Sequence, residues 1–242
     1  MEDTIKLNSM NVAMIAHRGL SGLERENTNA AFVAAGNRSY DGVETDIHRT
    51  ADGQFVVYHD DRTNRLTDVD WCVEDHTLAD LRSLILRDLD GQERHDLVMP
   101  TLQEYIRICK KYNKISVLEL KNHLDDESIV KVIEIIQQES WLSKTVFISF
   151  DLPNLLCVRK LLPNQAIQFL ATQLNDEVLE TMIIHQIDAD LDHRRINAEW
   201  VEKLHKAGCL VNVWTVNTVK DALKMIELGV DQITTDILEK IR

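Results

Sequence analysis

Short apolar runs alternate along this chain with longer stretches in which apolar residues recur every three or four positions. The first pattern is that of buried strands and the second that of amphipathic helices. Strands are expected over residues 12–16, 43–47, 115–120, 146–149, 167–171, 187–191, 210–216 and 232–234. Thr28 reads as the cap of a helix carrying Ala30, Ala31, Phe32 and Ala35 after the first strand. Thr101 and Glu104 form a capping box ahead of a helix with Leu102, Tyr105, Ile106 and Cys109 on one face. Helices over 126–138, 152–162, 176–185, 197–207 and 219–228 follow the third to seventh strands. A last short helix, capped by Asp236, is expected after the eighth.

Strand and helix in alternation with short links imply a parallel sheet. Eight such units in a chain of 242 residues match the size of a TIM (β/α)8 barrel. A doubly wound open sheet is the alternative, but no glycine-rich phosphate loop follows the first strand. One apolar run, 55–58, is surplus to the eight. It falls in an insertion of about 51–99 after strand two, where polar residues dominate, leaving too few apolar ones for a core of its own. The whole chain, 1–242, is expected to be a single barrel domain.

Composition narrows the function classes. With 44% hydrophobic and 28% charged residues the chain can bury a full core. A net charge of −13 argues against general nucleic-acid binding. Cys72, Cys109, Cys157 and Cys209 lie far apart and form no C-x-x-C pair, which disfavours structural zinc and a disulfide framework. No stretch approaches the length of a membrane span, and the first residues lack the apolar core of a signal peptide. The expectation is a soluble, cytoplasmic protein with no stable membrane insertion.

Active sites of such barrels lie at the C-terminal ends of the strands, so the polar residues there carry the chemistry. Glu44 and Asp46 end strand two, and Glu119 and Lys121 end strand three. Each pair is two residues apart and so shares one face. His17 and Arg18 follow strand one, Trp214 ends strand seven, and His59 closes the surplus run. Glu44 and Asp46 alone have exposed edge acids as their lesser alternative reading. With Glu119 they make an oxygen-rich site suited to Mg²⁺ or Ca²⁺. His17 alone is more often structural; with His59 beside a metal it becomes a general acid–base candidate. Arg18 and Lys121 are either ion-pair partners of the acids or phosphate ligands. Trp214 is either core or the wall of a substrate pocket. Asn27-Thr28 is as much a helix cap as a substrate-loop feature.

In order along almost the whole chain stand His17-Arg18-Gly19, Glu26-Asn27-Thr28, Glu44-x-Asp46, Asp52-Gly53, His59-Asp60, Arg65-x-Thr67, Pro100-Thr101-Leu102, Glu119-x-Lys121, Trp214-Thr215-Val216-Asn217 and the segment 229–236. As a set they resemble the glycerophosphodiester phosphodiesterases. The resemblance implies a TIM barrel with a small insertion after strand two. It implies a divalent metal on Glu44, Asp46 and Glu119, His17 and His59 as acid–base pair, and Arg18 and Lys121 on the phosphate. The substrate would be a glycerophosphodiester, cleaved to glycerol 3-phosphate and an alcohol. Two positions depart from the pattern: Arg25 stands where the family usually has proline, and Gln232 where it has glycine. Two other readings are a non-catalytic barrel binding phosphorylated ligands and a phospholipase D acting on lysophospholipids. The first would predict a broken constellation and the second an apolar docking segment.

Overall fold

The computed structural model describes residues 3–241. Eight parallel strands close into a barrel: Ala13–Ala16, Gly42–Arg49, Ile115–Leu120, Thr145–Ser149, Ile167–Ala171, Asp188–Asp192, Val211–Trp214 and Gln232–Thr235. Each pairs with its neighbours in sequence, and the ring closes where Thr235 faces Ala16 and Ala16 faces Val43. This is the TIM-barrel architecture that the strand count implies.

Seven helices cover the outside: Asn29–Gly36, Leu102–Lys111, Asp126–Gln138, Leu152–Leu161, Asp176–His185, Ala198–Lys206 and Val219–Leu228. Their starts are set by side-chain caps. Thr28 Oγ1 accepts from the amide of Ala31, and Thr101 with Glu104 makes the reciprocal capping box. The main core lies between this layer and the barrel and includes Phe32, Tyr105, Val132, Leu155, Leu204 and Met225.

Among the described residues no helix follows the eighth barrel strand. Leu238–Lys240 is instead a strand, paired in parallel with Ile5–Leu7, and this corrects the expected eighth helix and its Asp236 cap. A short helix here would leave most of its backbone groups without intrahelical partners. Pairing gives their backbone partners and buries Leu7 and Leu238. Glu239, also buried, accepts hydrogen bonds from Thr4, Lys6 and Ser39.

After strand two the chain turns back through Gly53 (φ 70°). Phe55–Val57 then runs antiparallel along the second barrel strand, with His48 opposite Val56. It joins the same sheet but lies outside the ring of eight. Beyond it come a five-residue helix, Leu78–Arg82, and a two-residue hairpin, Leu86–Arg87 with Glu93–Arg94. Val56, Tyr58, Leu66, Val73, Leu81, Leu84, Leu86, Leu97 and Met99 bury one another here, apart from the barrel core. The polar character of the segment hides this cluster, because its apolar residues are spread without a helical or strand period.

Candidate active site

The first barrel strand ends in a sharp turn. Arg18 and Gly19 both take positive φ, 53° and 78°. At Gly19 a Cβ would lie 2.7 Å from backbone and side-chain atoms of Ala31, so only glycine fits. The turn folds the chain onto strand two: the Arg18 amide donates to Glu44 Oε2 at 2.8 Å. Asn27, also at positive φ (55°), donates through Nδ2 to Asp46 Oδ2 at 2.8 Å and accepts from Thr45 through Oδ1. Asn27 therefore positions a site acid while Thr28 caps the helix.

Strand register sets the acids side by side. Asp46 pairs with Glu119 across strands two and three, and Glu44 lies one step lower on the same inward face. Glu44, Asp46 and Glu119 are all buried, each with a carboxylate oxygen within 4.8 Å of the others. Two cations reach them. Arg18 Nε lies 3.5 Å from Asp46, and Lys121 Nζ lies 2.9 Å from Glu119 and 3.8 Å from Asp46. Burial tends to raise Asp46, but Arg18, His59 and Lys121 outweigh it and hold that carboxyl well below its usual range. Burial and then the Asp46 charge push Glu44 well up, and the same two causes push Glu119 up to about 8. Three carboxylates thus outnumber the two cations beside them, and as clustered hard oxygen donors they could hold a divalent metal ion.

Two histidines flank the acids, each backed by a carboxylate. His17 Nδ1 lies 2.7 Å from Asp236 Oδ1, and Asp236 is fixed by Ser21 Oγ at 2.9 Å and Asn217 Nδ2 at 2.6 Å. His59 Nδ1 lies 2.6 Å from Asp60 Oδ1. Asp60 in turn accepts from Arg65, which bonds Glu26 at 2.8 and 2.9 Å, and Glu26 accepts from Arg18 at 2.8 Å. A continuous chain of opposite charges therefore runs from His59 around to the acids. An Nδ1–H given to a carboxylate leaves Nε2 of each ring as the nitrogen able to exchange a proton. Burial, with Arg18 and Lys121 adding to it, lowers the pKa of His59.

These groups open on one cavity of about 220 Å³, lined by His17, Arg18, Glu44, His59 and Glu119 at one end and by Phe150 and Trp214 along its wall. Trp214 donates through Nε1 to the Asp190 carbonyl at 3.2 Å and meets Phe150 edge-on at 6.0 Å. Lys121 lines an adjoining depression with Glu119, Asn122 and His123. Six of the eight sequence candidates therefore line one cavity, and Asp46 and Lys121 join it through their contacts with the acids. His193 bonds the Trp214 carbonyl at 3.1 Å. Sequence reading missed the carboxylate partner of His17, the Glu26–Arg65–Asp60 linkage and the polar residues inside the barrel. For the first, the only signal was that Asn217 and Asp236 stand at motif positions, without a pairing.

A closed parallel barrel with acids and paired histidines at one end of its strands defines an enzyme of the TIM-barrel class. Residues 17–240 match the glycerophosphoryl diester phosphodiesterase family. The chain belongs to that family and is a phosphoric diester hydrolase. It is 32% identical to the Bacillus subtilis protein YhdW over 92% of this chain and 93% of that one. A glycerophosphodiester phosphodiesterase of Caldanaerobacter subterraneus is 30% identical over 94% and 95% of the two chains. Among solved structures, an Oleispira antarctica phosphodiesterase in complex with the product sn-glycerol-3-phosphate superposes with a TM-score of 0.86, at 30% identity and 94% coverage of both chains.

Proposed function

We propose that this enzyme hydrolyses glycerophosphodiesters to glycerol 3-phosphate and an alcohol, with His17 and His59 exchanging the protons. The observation that carries the reading is the pairing of each Nδ1 with its own carboxylate, Asp236 or Asp60, beside three clustered acids in one cavity.

Glu44, Asp46 and Glu119 would hold Mg²⁺ or Ca²⁺. When bound, such an ion polarises a phosphoryl oxygen and offsets the charge gathering on phosphorus. Arg18 presents its guanidinium to the non-bridging oxygens, and Trp214 walls the substrate. Lys121 acts on the phosphate at longer range, through its contacts with Glu119 and Asp46. One histidine takes a proton from the attacking hydroxyl as its oxygen bonds to phosphorus. The other gives a proton to the alkoxide as the old P–O bond breaks. The attacking oxygen is that of water or of the glycerol hydroxyl next to the phosphate. Water gives glycerol 3-phosphate directly, whereas the glycerol hydroxyl gives a cyclic phosphate that water opens in a second round of the same two proton transfers.

The full chain acts in this reading as one barrel domain with an insertion over about 51–99. Its four free cysteines suit a reducing, cytoplasmic setting, its −13 charge disfavours nucleic acid, and no described helix is long and apolar enough to cross a membrane. The test is a panel of glycerophosphocholine, glycerophosphoethanolamine and lysophospholipids, assayed in EDTA and then with Mg²⁺, Ca²⁺ or Mn²⁺ restored. Release of glycerol 3-phosphate only when metal is present supports the reading. Turnover unchanged by EDTA, or confined to lysophospholipids, rules it out.

A further inference from the structure

The cavity continues below the acids and histidines into the barrel, where its lining is Ile148, Leu170, Thr234 and one further acid, Asp190. Asp190 comes from the sixth barrel strand and is 2% exposed. Its neighbours are set by register: Leu170 on strand five and Asn212 on strand seven. Asn212 Nδ2 donates to Asp190 Oδ1 at 2.8 Å and to Thr234 Oγ1 at 3.0 Å. One layer down, Gln168 Nε2 donates to Gln232 Oε1 at 3.1 Å across the interior. The barrel interior is therefore divided, apolar where Ile15, Val117, Ile148 and Leu170 meet and polar from strand six to strand eight.

None of the chemistry proposed above uses Asp190. It makes no ion pair among the described residues, and burial, opposed only by the Asn212 hydrogen bond, pushes its carboxyl up to about 8. Its Oδ2 makes no hydrogen bond to the protein and is not among the sealed buried atoms that lack a partner. A buried carboxyl with one oxygen left without a protein partner is costly to keep in an interior where an apolar side chain would pack. A ligand group that completes its hydrogen bonds removes that cost.

We propose that Asp190 reads the glycerol end of the substrate, exchanging hydrogen bonds with a hydroxyl of the glycerol 3-phosphate unit while Leu170 and Trp214 pack its carbon edge. The assignment rests on the glycerophosphodiester reading above and adds the direction in which the substrate enters. The Gln168–Gln232 bond crosses the barrel interior below the residues that line the cavity, so the small, constant end of the diester goes inward and the variable alcohol faces the opening. A hydroxyl suits the position better than an ammonium. An uncharged carboxyl can donate as well as accept, Thr234 offers a second hydroxyl beside it, and Asp190 has no second acid near it to share a cation.

Calorimetry on the full chain in saturating Mg²⁺ tests this with four probes: glycerol 3-phosphate, 1-propyl phosphate, phosphoethanolamine and inorganic phosphate. The unaltered enzyme should bind glycerol 3-phosphate about tenfold more tightly than propyl phosphate, which has the same carbons and no hydroxyls. Asp190→Leu should abolish that preference and leave inorganic phosphate within about twofold, since one hydrogen-bonding partner has been removed and the phosphate site is untouched. Asp190→Asn keeps a donor and an acceptor, keeps the shape, and should retain most of the preference. The proposal is overturned if Asp190→Leu leaves the preference intact, if Asp190→Asn loses it as completely as Leu does, or if phosphoethanolamine is the probe that suffers. Binding is read without turnover. A failed substrate panel with the glycerol preference intact would therefore sink the reaction and not the subsite, and the reverse result would sink the subsite alone.

Discussion

His17 and Asp236 are 219 residues apart in the chain and 2.7 Å apart in the fold. The first and last barrel strands are neighbours, with Ala16 opposite Thr235, so closing the ring is what joins them. Asp236 also accepts from Ser21 and Asn217 and is therefore held by partners other than His17.

Asp236→Asn should keep this geometry and offer His17 a donor where it had an acceptor. By analogy with a buried aspartate behind a catalytic histidine, kcat should fall by roughly 10²–10⁴ with the fold unchanged. KM should move by less than about threefold, because Asp236 does not line the main cavity. Steady-state kinetics with a thermal melt decides it; near-normal kcat would remove Asp236 from the mechanism.

The acid cluster makes a signed prediction about pH and stability. The Glu119 carboxyl is raised in the fold, from 4.5 to about 8, and Glu44 is raised as well. Between those values the folded chain binds more protons than the unfolded chain, so stability falls as pH rises. Their contribution is full below pH 4.5 and is lost as pH passes about 8. In EDTA the melting temperature should drop by roughly 4 °C or more between pH 6 and pH 9. Saturating Mg²⁺ should reduce the drop, since the ion replaces the protons, and Glu119→Gln should reduce it without metal. Equal slopes with and without metal would show that the cluster does not bind the ion.

Arg65 holds Glu26 and Asp60 together from outside the barrel. Arg65→Ala should loosen Asp60 behind His59 and lower kcat by about tenfold, the worth of one or two hydrogen bonds to charged groups. Metal affinity should stay within about threefold, because Glu26 keeps Arg18. An equal loss in a metal titration would mean that Arg65 serves the acids rather than the histidine.

Gly19→Ala places a methyl group 2.7 Å from Ala31 at a φ of 78°. The strain should cost about 2 kcal/mol or more, seen as a melting temperature lower by several degrees. Gly208→Ala, at φ 80° with no atom within 4 Å of the new Cβ, is the control for the backbone cost alone. Equal losses at the two positions would show that the contact with Ala31 is not what fixes Gly19.

The strand positions and the triad were legible because alternation is a local rule: Glu44-x-Asp46 and Glu119-x-Lys121 must each share a face wherever the strands lie. Which hollow a long lysine faces is not local: Lys121 contacts Glu119 and Asp46 but lines the adjoining depression rather than the main cavity. Asp236 was hidden by a plausible local role, since an aspartate before Ile-Leu-Glu-Lys looks like a cap. Pairing of that segment with Ile5–Leu7 overrides its helical propensity. Asp190 lies in a run of alternating acids, Asp188, Asp190 and Asp192. Their separate fates, a loop amide, the cavity and Arg194, appear only once strand seven is beside them.

The last strand, Gln232–Thr235, closes the ring, and the residue after it orients His17. Ring closure and the backing of one histidine therefore depend on the same short segment. A chain whose eighth strand has not docked carries all three acids and both histidines, yet it lacks the carboxylate behind His17 and the wall that seals the barrel. Until that edge seals, the enzyme is a silent one.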